Sequence, residues 1–224
     1  MSDYIFEPRP QPSLPVLGRQ DRYPVARIFC VGRNYAAHAA EMGNEVDREA
    51  PFYFTKSCHA LMQSGDAMPY PPGTSDLHHE IEFVVALGPG GVRMGSASGL
   101  DMTRRDLQGA AKEKRRPWDT GKDFERSAII GAITPADAFT PSDQPITLSV
   151  NDERRQDGRL SDMVWSVEEI IDHLGTLYAL EAGDLIMTGT PSGVGAVVAG
   201  DYLSGGVEGL TPVEVNITQP PGLL

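Results

Sequence analysis

Residues 76–87, DLHHEIEFVVAL, constrain this chain more than any other stretch. The second half of the segment is rich in β-branched and apolar residues and reads as a buried β-strand. Side chains in a strand alternate between faces, so residues two apart share one face. Glu80 and Glu82 therefore lie side by side on an element whose other residues call for burial. Two like charges in that setting are costly unless they protonate, face open water or bind something positive. A solvated strand face and a metal site are both open on this fragment, and other segments have to separate them.

The totals restrict the alternatives. At 224 residues the chain can bury one substantial core, and we expect residues 24–224 to form a single catalytic domain. Residues 1–23, rich in Pro and polar groups, read as an extended N-terminal arm. No apolar run is long enough to cross a bilayer, so no membrane role is expected. The net charge of −12 argues against nucleic acid, whose phosphates demand a basic face. Two cysteines make no disulfide framework, and MSDYIFEPRPQP lacks a basic-then-apolar signal, which points to a reduced, cytoplasmic protein. Cys30, inside an apolar run, reads as core.

Along the chain, short strand-like runs outnumber helical ones. VARIFCVG, PFYFTK, SAIIGAITP, PITLSVN, DLIMTG and TPVEVNIT read as strands, separated by Gly and Pro turns. RNYAAHAAEMG suggests a short helix closed by Gly43, and a second helix is expected from Thr103 to about Lys114. SVEEIIDHLGTLY is the clearest helix: Ser166 and Glu169 form a capping box, and Val167, Ile170, Ile171 and Leu174 form one apolar face. This pattern predicts a β-rich α+β fold rather than alternating βα units.

Four segments concentrate polar chemistry. His38 and Glu41, three apart, share a helix face, where the carboxylate can orient the imidazole as a general base; an exposed pair on an alanine-rich helix is the simpler use. Asp101 precedes a helix and reads either as its N-cap or as a third oxygen ligand, suited to Mg²⁺, Mn²⁺ or Ca²⁺ rather than Zn²⁺. Lys122, in RRPWDTGKDF, is either a surface charge or a group turned toward a carboxylate or a developing enolate. GDLIMTGTPSGVG can present backbone N–H groups to an anion, but lacks the ending of a nucleotide P-loop. The basic cluster KEKRRP at residues 112–117 reads as a solvated helix end.

Taken together, VGRNYAAHAAE, PFYFTK, HHEIEFVVALG, LDMTRRDLQ, RPWDTGKDF and GDLIMTGTPSGVG occur in the order and spacing of the fumarylacetoacetate hydrolase family. The resemblance runs from Arg27 to about Gly206 and is greatest to the short bacterial acylpyruvate hydrolases. It implies a mixed β-sandwich roll, a homodimer, and Mg²⁺ or Mn²⁺, with Ca²⁺ able to stand in, held by Glu80, Glu82 and Asp101. It places His38 and Glu41 on a water-activating pair in a segment that orders over substrate, and Lys122 on the family's motif lysine. Arg105, Gln108 and Thr190 match positions that hold substrate carboxylate and oxo groups, with Tyr35 and Lys56 as further substrate-binding carry-overs.

The implied reaction is hydrolysis of a 2,4-dioxo acid, with fumarylpyruvate giving pyruvate and fumarate in aromatic catabolism. Oxaloacetate decarboxylation and isomerisation of a related compound are alternatives within the family. An inactive metal-binding homologue is the alternative outside enzymology. Residues 44–50 and 58–65 are the expected walls of an acyl pocket, and the available basic residues give weak support for a second substrate carboxylate. The chain departs from the family pattern between VVALGPGG and GLDMTRRD, where only VRMGSAS stands in place of a further short helix.

Overall fold

A computed structural model describes residues 4–41, 43 and 48–220. Strand dominates, as the pattern predicts. Among the described residues the α-helices are α1 (Ala36–Glu41), α2 (Arg105–Glu113), α3 (Asp119–Lys122) and α4 (Val167–Leu177). The largest sheet is mixed and runs Phe52–Lys56, Arg27–Gly32, Asp184–Met187, Ile81–Leu87, Arg93–Asp101, Ala128–Ile130, Leu61–Gln63. A second sheet, in the order Glu153–Arg159, Pro145–Val150, Tyr202–Val207, Val213–Thr218, Ala67–Pro69, packs against it to make the sandwich.

Ile81–Leu87 is buried at all seven positions because both of its faces are covered. Ile81, Phe83, Val85 and Leu87 join the main core with Ile146, Leu148 and Val215 of the facing sheet. Val84 and Ala86 point the other way, into a second core with Ile28, Cys30 and Met187. Part of the expected N-terminal arm closes that second core. Ser13–Pro15 pairs with Arg22–Pro24, Leu14 and Tyr23 are buried, and the Tyr23 hydroxyl lies 2.7 Å from the Asp184 carbonyl. Residues 13–24 are therefore a packed hairpin; their Pro and Arg content hid the apolar residues Leu14, Val16 and Tyr23.

Two further elements differ from expectation in ways that matter for the site. Thr103–Arg104 pairs with Leu77–His79 and α2 starts only at Arg105, with Arg104 as its N-cap. Asp101 is thus the last residue of a strand and not a helix cap. The short connection after Leu87 needs no additional helix. Ile81–Leu87 and Arg93–Asp101 form one antiparallel hairpin, closed where Gly88 N–H donates to Val92 O at 2.8 Å. Gly90 and Gly91 both have φ +73°, the left-handed geometry that this turn requires and that glycine adopts at little cost. In register, Glu82 faces Gly99, and Asp101 N–H donates to Glu80 O at 2.9 Å. The hairpin itself brings the third acid to the first two.

Candidate active site

The face of the large sheet that carries the second core turns polar at one end. Glu82 continues the face of Val84, Asp101 that of Ala97, and Lys56 that of Phe54, since each pair is separated by an even number of residues. Glu80 joins them just before its strand begins. Oxygen atoms of Glu80, Glu82 and Asp101 lie within 4.8 Å of one another, and all three residues are buried. Asp101 is 0% and Glu82 2% exposed, which removes the solvated-face reading.

Cations surround the acids unevenly. Lys122 Nζ donates to Glu80 Oε2 at 2.8 Å, Asp101 Oδ2 at 2.7 Å and Thr103 Oγ1 at 2.7 Å. All three of its N–H donors are therefore taken. Arg105 pairs with Glu80 Oε1 and donates to Gln108 Oε1 at 2.8 Å. Lys56 Nζ lies 2.8 Å from Asp101 Oδ1 and donates to Ser127 Oγ at 2.9 Å. Glu82 has only the Gly189 N–H, 2.9 Å from Oε2, and no ion pair among the described residues.

The protonation energetics follow this asymmetry. Burial opposes ionisation of Glu80, but Lys122 and Arg105 outweigh it and hold the carboxyl below its ordinary range. Burial, with Asp101 and Glu80 as like charges, pushes Glu82 well above that range. Lys122 is raised: desolvation would lower it, and Asp101 and Glu80 reverse that. A buried cluster of hard oxygens in which one carboxylate lacks a cation fits a divalent ion of the Mg²⁺ or Mn²⁺ type.

Opposite the acids stands α1. His38 Nδ1 lies 3.3 Å from Glu41 Oε2; a carboxylate only accepts, so Nδ1 is the donor. Glu41 is held in turn by the Gly193 N–H, 3.1 Å from Oε1. The glycine-rich loop does bind anions through its backbone, but they are the protein's own: Gly189 serves Glu82 and Gly193 serves Glu41. Gly193 has φ +92°, and a Cβ there would stand 2.0 Å from Arg155 O, so a larger residue cannot keep this contact.

A cleft of about 40 Å³ collects His38, Glu80, Glu82, Gln108, Lys122 and Thr190 along its walls. Arg105, Arg33, Lys112 and Trp118 stand with them. Glu41 and Asp101 support this set from behind. Lys56 and Tyr35 do not line the cleft. Lys56 lies beneath Asp101, and Tyr35 lines a separate cavity with Asp157 and Asp162, its buried hydroxyl without a partner among the described residues. Of the expected acyl-pocket segments, residues 58–65 form a turn and a strand beside Ala128–Ile130, away from the cleft. Residues 44–47 lie outside the described residues.

Sequence reasoning missed what holds Thr190. Gln156 is 0% exposed; its Oε1 accepts from Ile81 N–H and His79 Nδ1, both at 3.0 Å. Its Nε2 donates to Thr190 Oγ1 at 2.7 Å and Pro191 O at 2.9 Å. Every polar site of the amide is used, so it cannot flip, and the Thr190 hydroxyl proton is left for the cleft. Gln156 stands in ERRQDGR, an outwardly charged strand, and nothing in that run marks it.

A family model described as fumarylacetoacetate (FAA) hydrolase C-terminal matches residues 27–218. The chain belongs to the fumarylacetoacetate hydrolase family. It is 46% identical over 188 residues to a fumarylpyruvate hydrolase of a Ralstonia species, covering 79% of this chain and 98% of that protein. It is 38% identical over 194 residues to an oxaloacetate tautomerase of Escherichia coli, covering 81% and 88%. Its fold matches a crystal structure of fumarylpyruvate hydrolase from Pseudomonas aeruginosa in complex with Mn²⁺ and pyruvate. That match has TM-score 0.92 and 41% identity over 97% of this chain and 100% of that one. Within this family the chain is an enzyme that hydrolyses carbon–carbon bonds, with a divalent metal as cofactor. The inactive metal-binding alternative gives way to that assignment.

Proposed function

We propose that this enzyme hydrolyses fumarylpyruvate to pyruvate and fumarate, as a cytoplasmic homodimer serving the breakdown of aromatic compounds. The observation that carries the reading is the placement of a Glu41-oriented His38 on the same narrow cleft as Glu80, Glu82 and Lys122. One side of the cleft can take a proton from water, and the other can stabilise an enolate. The fumarylpyruvate hydrolases of Ralstonia and Pseudomonas aeruginosa support the choice of substrate.

In this reading Glu80, Glu82 and Asp101 hold the cation, which supplies Lewis-acid stabilisation of negative charge. His38 Nε2 removes a proton from the water that attacks the distal carbonyl, while Glu41 keeps Nδ1 protonated and the ring aimed. The carbon–carbon bond then breaks, and the electron pair leaves as the enolate of pyruvate. Lys122, with its donors already engaged, acts through its field and by positioning Glu80 and Asp101. Arg105, Gln108 and the free Thr190 hydroxyl proton hold the substrate's carboxylate and oxo oxygen.

The first test is decay of fumarylpyruvate absorbance with Mg²⁺ or Mn²⁺ and again with EDTA. Metal-dependent decay to pyruvate and fumarate is the expected result, and a metal-independent rate overturns it. His38→Ala should retain metal binding and lose about 10²–10⁴ in kcat; an unchanged kcat removes His38 from the mechanism. The relationship to oxaloacetate tautomerases favours a second reading, proton transfer between the keto and enol forms of oxaloacetate, which needs no attacking water. Loss of enol absorbance with oxaloacetate, and none with fumarylpyruvate, would select it.

A further inference from the structure

The narrow cleft does not end at the acids. Beyond Arg105 and Gln108 it widens into an open depression of about 610 Å³. Among the described residues five cations line that depression, Arg33, Arg105, Lys112, Arg115 and Arg116, and no carboxylate does. In a chain with 31 Asp and Glu against 19 Lys and Arg, such a wall departs sharply from the average surface. Arg105 stands at the acid end, paired with Glu80 and Gln108. Lys112 and Arg33 have no carboxylate partner among the described residues, and both also line the inner cleft.

We propose that Lys112, backed by Arg33, forms a subsite for a second carboxylate at the far end of the acyl group, and so selects dianionic over monoanionic substrates. This deepens the acylpyruvate reading and rests on it. Lys112 is held for such a role: its ammonium lies over the Trp118 ring, 4.6 Å from the centroid, on the cleft side of α2. Arg33 follows the strand Arg27–Gly32 with φ +59°, a left-handed conformation unusual for a side chain of that size, which sets it at the mouth of the cleft. Gly109, between Gln108 and Lys112, leaves open space where its Cβ would be, so the depression stays accessible. Half-burial, with Arg105, Lys122 and Arg33 as like charges and Glu80 opposing them, brings the Lys112 amine down to about 8. An arriving carboxylate offsets the repulsion among these cations and compensates the ammonium's loss of water.

The test compares ligands that differ only at that end. The wild-type, Lys112→Met and Lys112→Arg proteins, loaded with Mn²⁺, are assayed with fumarylpyruvate and with its crotonyl analogue, in which a methyl group replaces the far carboxylate. In parallel, fumarate and crotonate are titrated calorimetrically. Lys112→Met should lower the fumaryl-to-crotonyl ratio of kcat/KM by about tenfold to hundredfold, mainly through KM, as loss of a charged hydrogen bond does. It should weaken fumarate binding relative to crotonate by a similar factor, and Lys112→Arg should restore most of both. Equal losses on both ligands of a pair, or an unchanged ratio, overturn the proposal. If the wild type turns over neither substrate, the acylpyruvate reading fails. The binding comparison still decides the subsite: no preference for fumarate over crotonate, or one unaffected by Lys112→Met, ends it.

Discussion

Lys56 never meets the cleft, yet Asp101 depends on it. It is buried against Asp101 Oδ1 at 2.8 Å and fixed by Ser127 and backbone carbonyls. Removing Lys56 strips the cation from Oδ1 and leaves Asp101 with Lys122 alone on Oδ2, at a cost of about 3 kcal/mol, the lower end of the range for a broken buried pair. Lys56→Met should therefore lower unfolding free energy by that order in urea titration, with part of the loss recovered on adding Mn²⁺, which restores positive charge near Asp101. Glu82 makes the complementary case. Its folded-state value lies well above the ordinary carboxyl value of 4.5, chiefly through burial. The stability it contributes to the metal-free fold is thus fully present below 4.5 and lost as pH rises through the folded value. Glu80, held low, works the other way: its contribution is present above 4.5 and lost as pH falls below it. A cation bound at this site displaces the Glu82 proton. Affinity for Mn²⁺ should consequently rise with pH above 4.5, with proton release measured by calorimetry in buffers of different ionisation enthalpy. Glu82→Gln should abolish that release together with tight binding.

At the scale of elements, the site is assembled by pieces whose own stability is local. α4 is fixed by its capping box: Ser166 N–H donates to Glu169 Oε2 at 2.8 Å, and Glu169 N–H to Ser166 Oγ at 3.3 Å. Ser166→Ala should cost about 1 kcal/mol in unfolding experiments with kcat unchanged, since α4 contributes no wall of the cleft. Ser166 and Glu169 were legible because a cap and its helix are neighbours in sequence. Ile81–Leu87 was legible as a strand, but Arg93–Asp101 was not read as its partner, nor the hairpin as the device that carries Asp101 to Glu80. That function depends on register, and register is fixed by the turn and by what each face packs against. The glycine-rich loop was legible as an anion binder, but its targets were not. Gly189 and Gly193 point their N–H groups at Glu82 and Glu41, which lie more than a hundred residues away.

For the whole molecule, metal and fold should be coupled. An ion that binds only the folded state adds about 2.7 kcal/mol at a hundred times its dissociation constant. The melting temperature should rise with Mn²⁺ concentration and fall back on adding EDTA; a melting curve insensitive to both would remove the ion from the buried triad. By itself, the sequence determined the β-rich class and the capped helix α4, and it singled out Glu80, Glu82, Asp101, His38 and Lys122 as candidates, because residue types, short spacings and the order of the motifs carry that information. Glu80 and Glu82 share a face by strand periodicity alone. Only the tertiary structure decided that this face is buried and that Lys56 serves Asp101 from beneath. It also decided that Tyr35 faces another cavity, that residues 13–24 close a core, and that Gln156 fixes Thr190. Each of these joins residues far apart in the chain. Burial, charge compensation and amide orientation are set by what the fold brings into contact, and local sequence does not encode those distances.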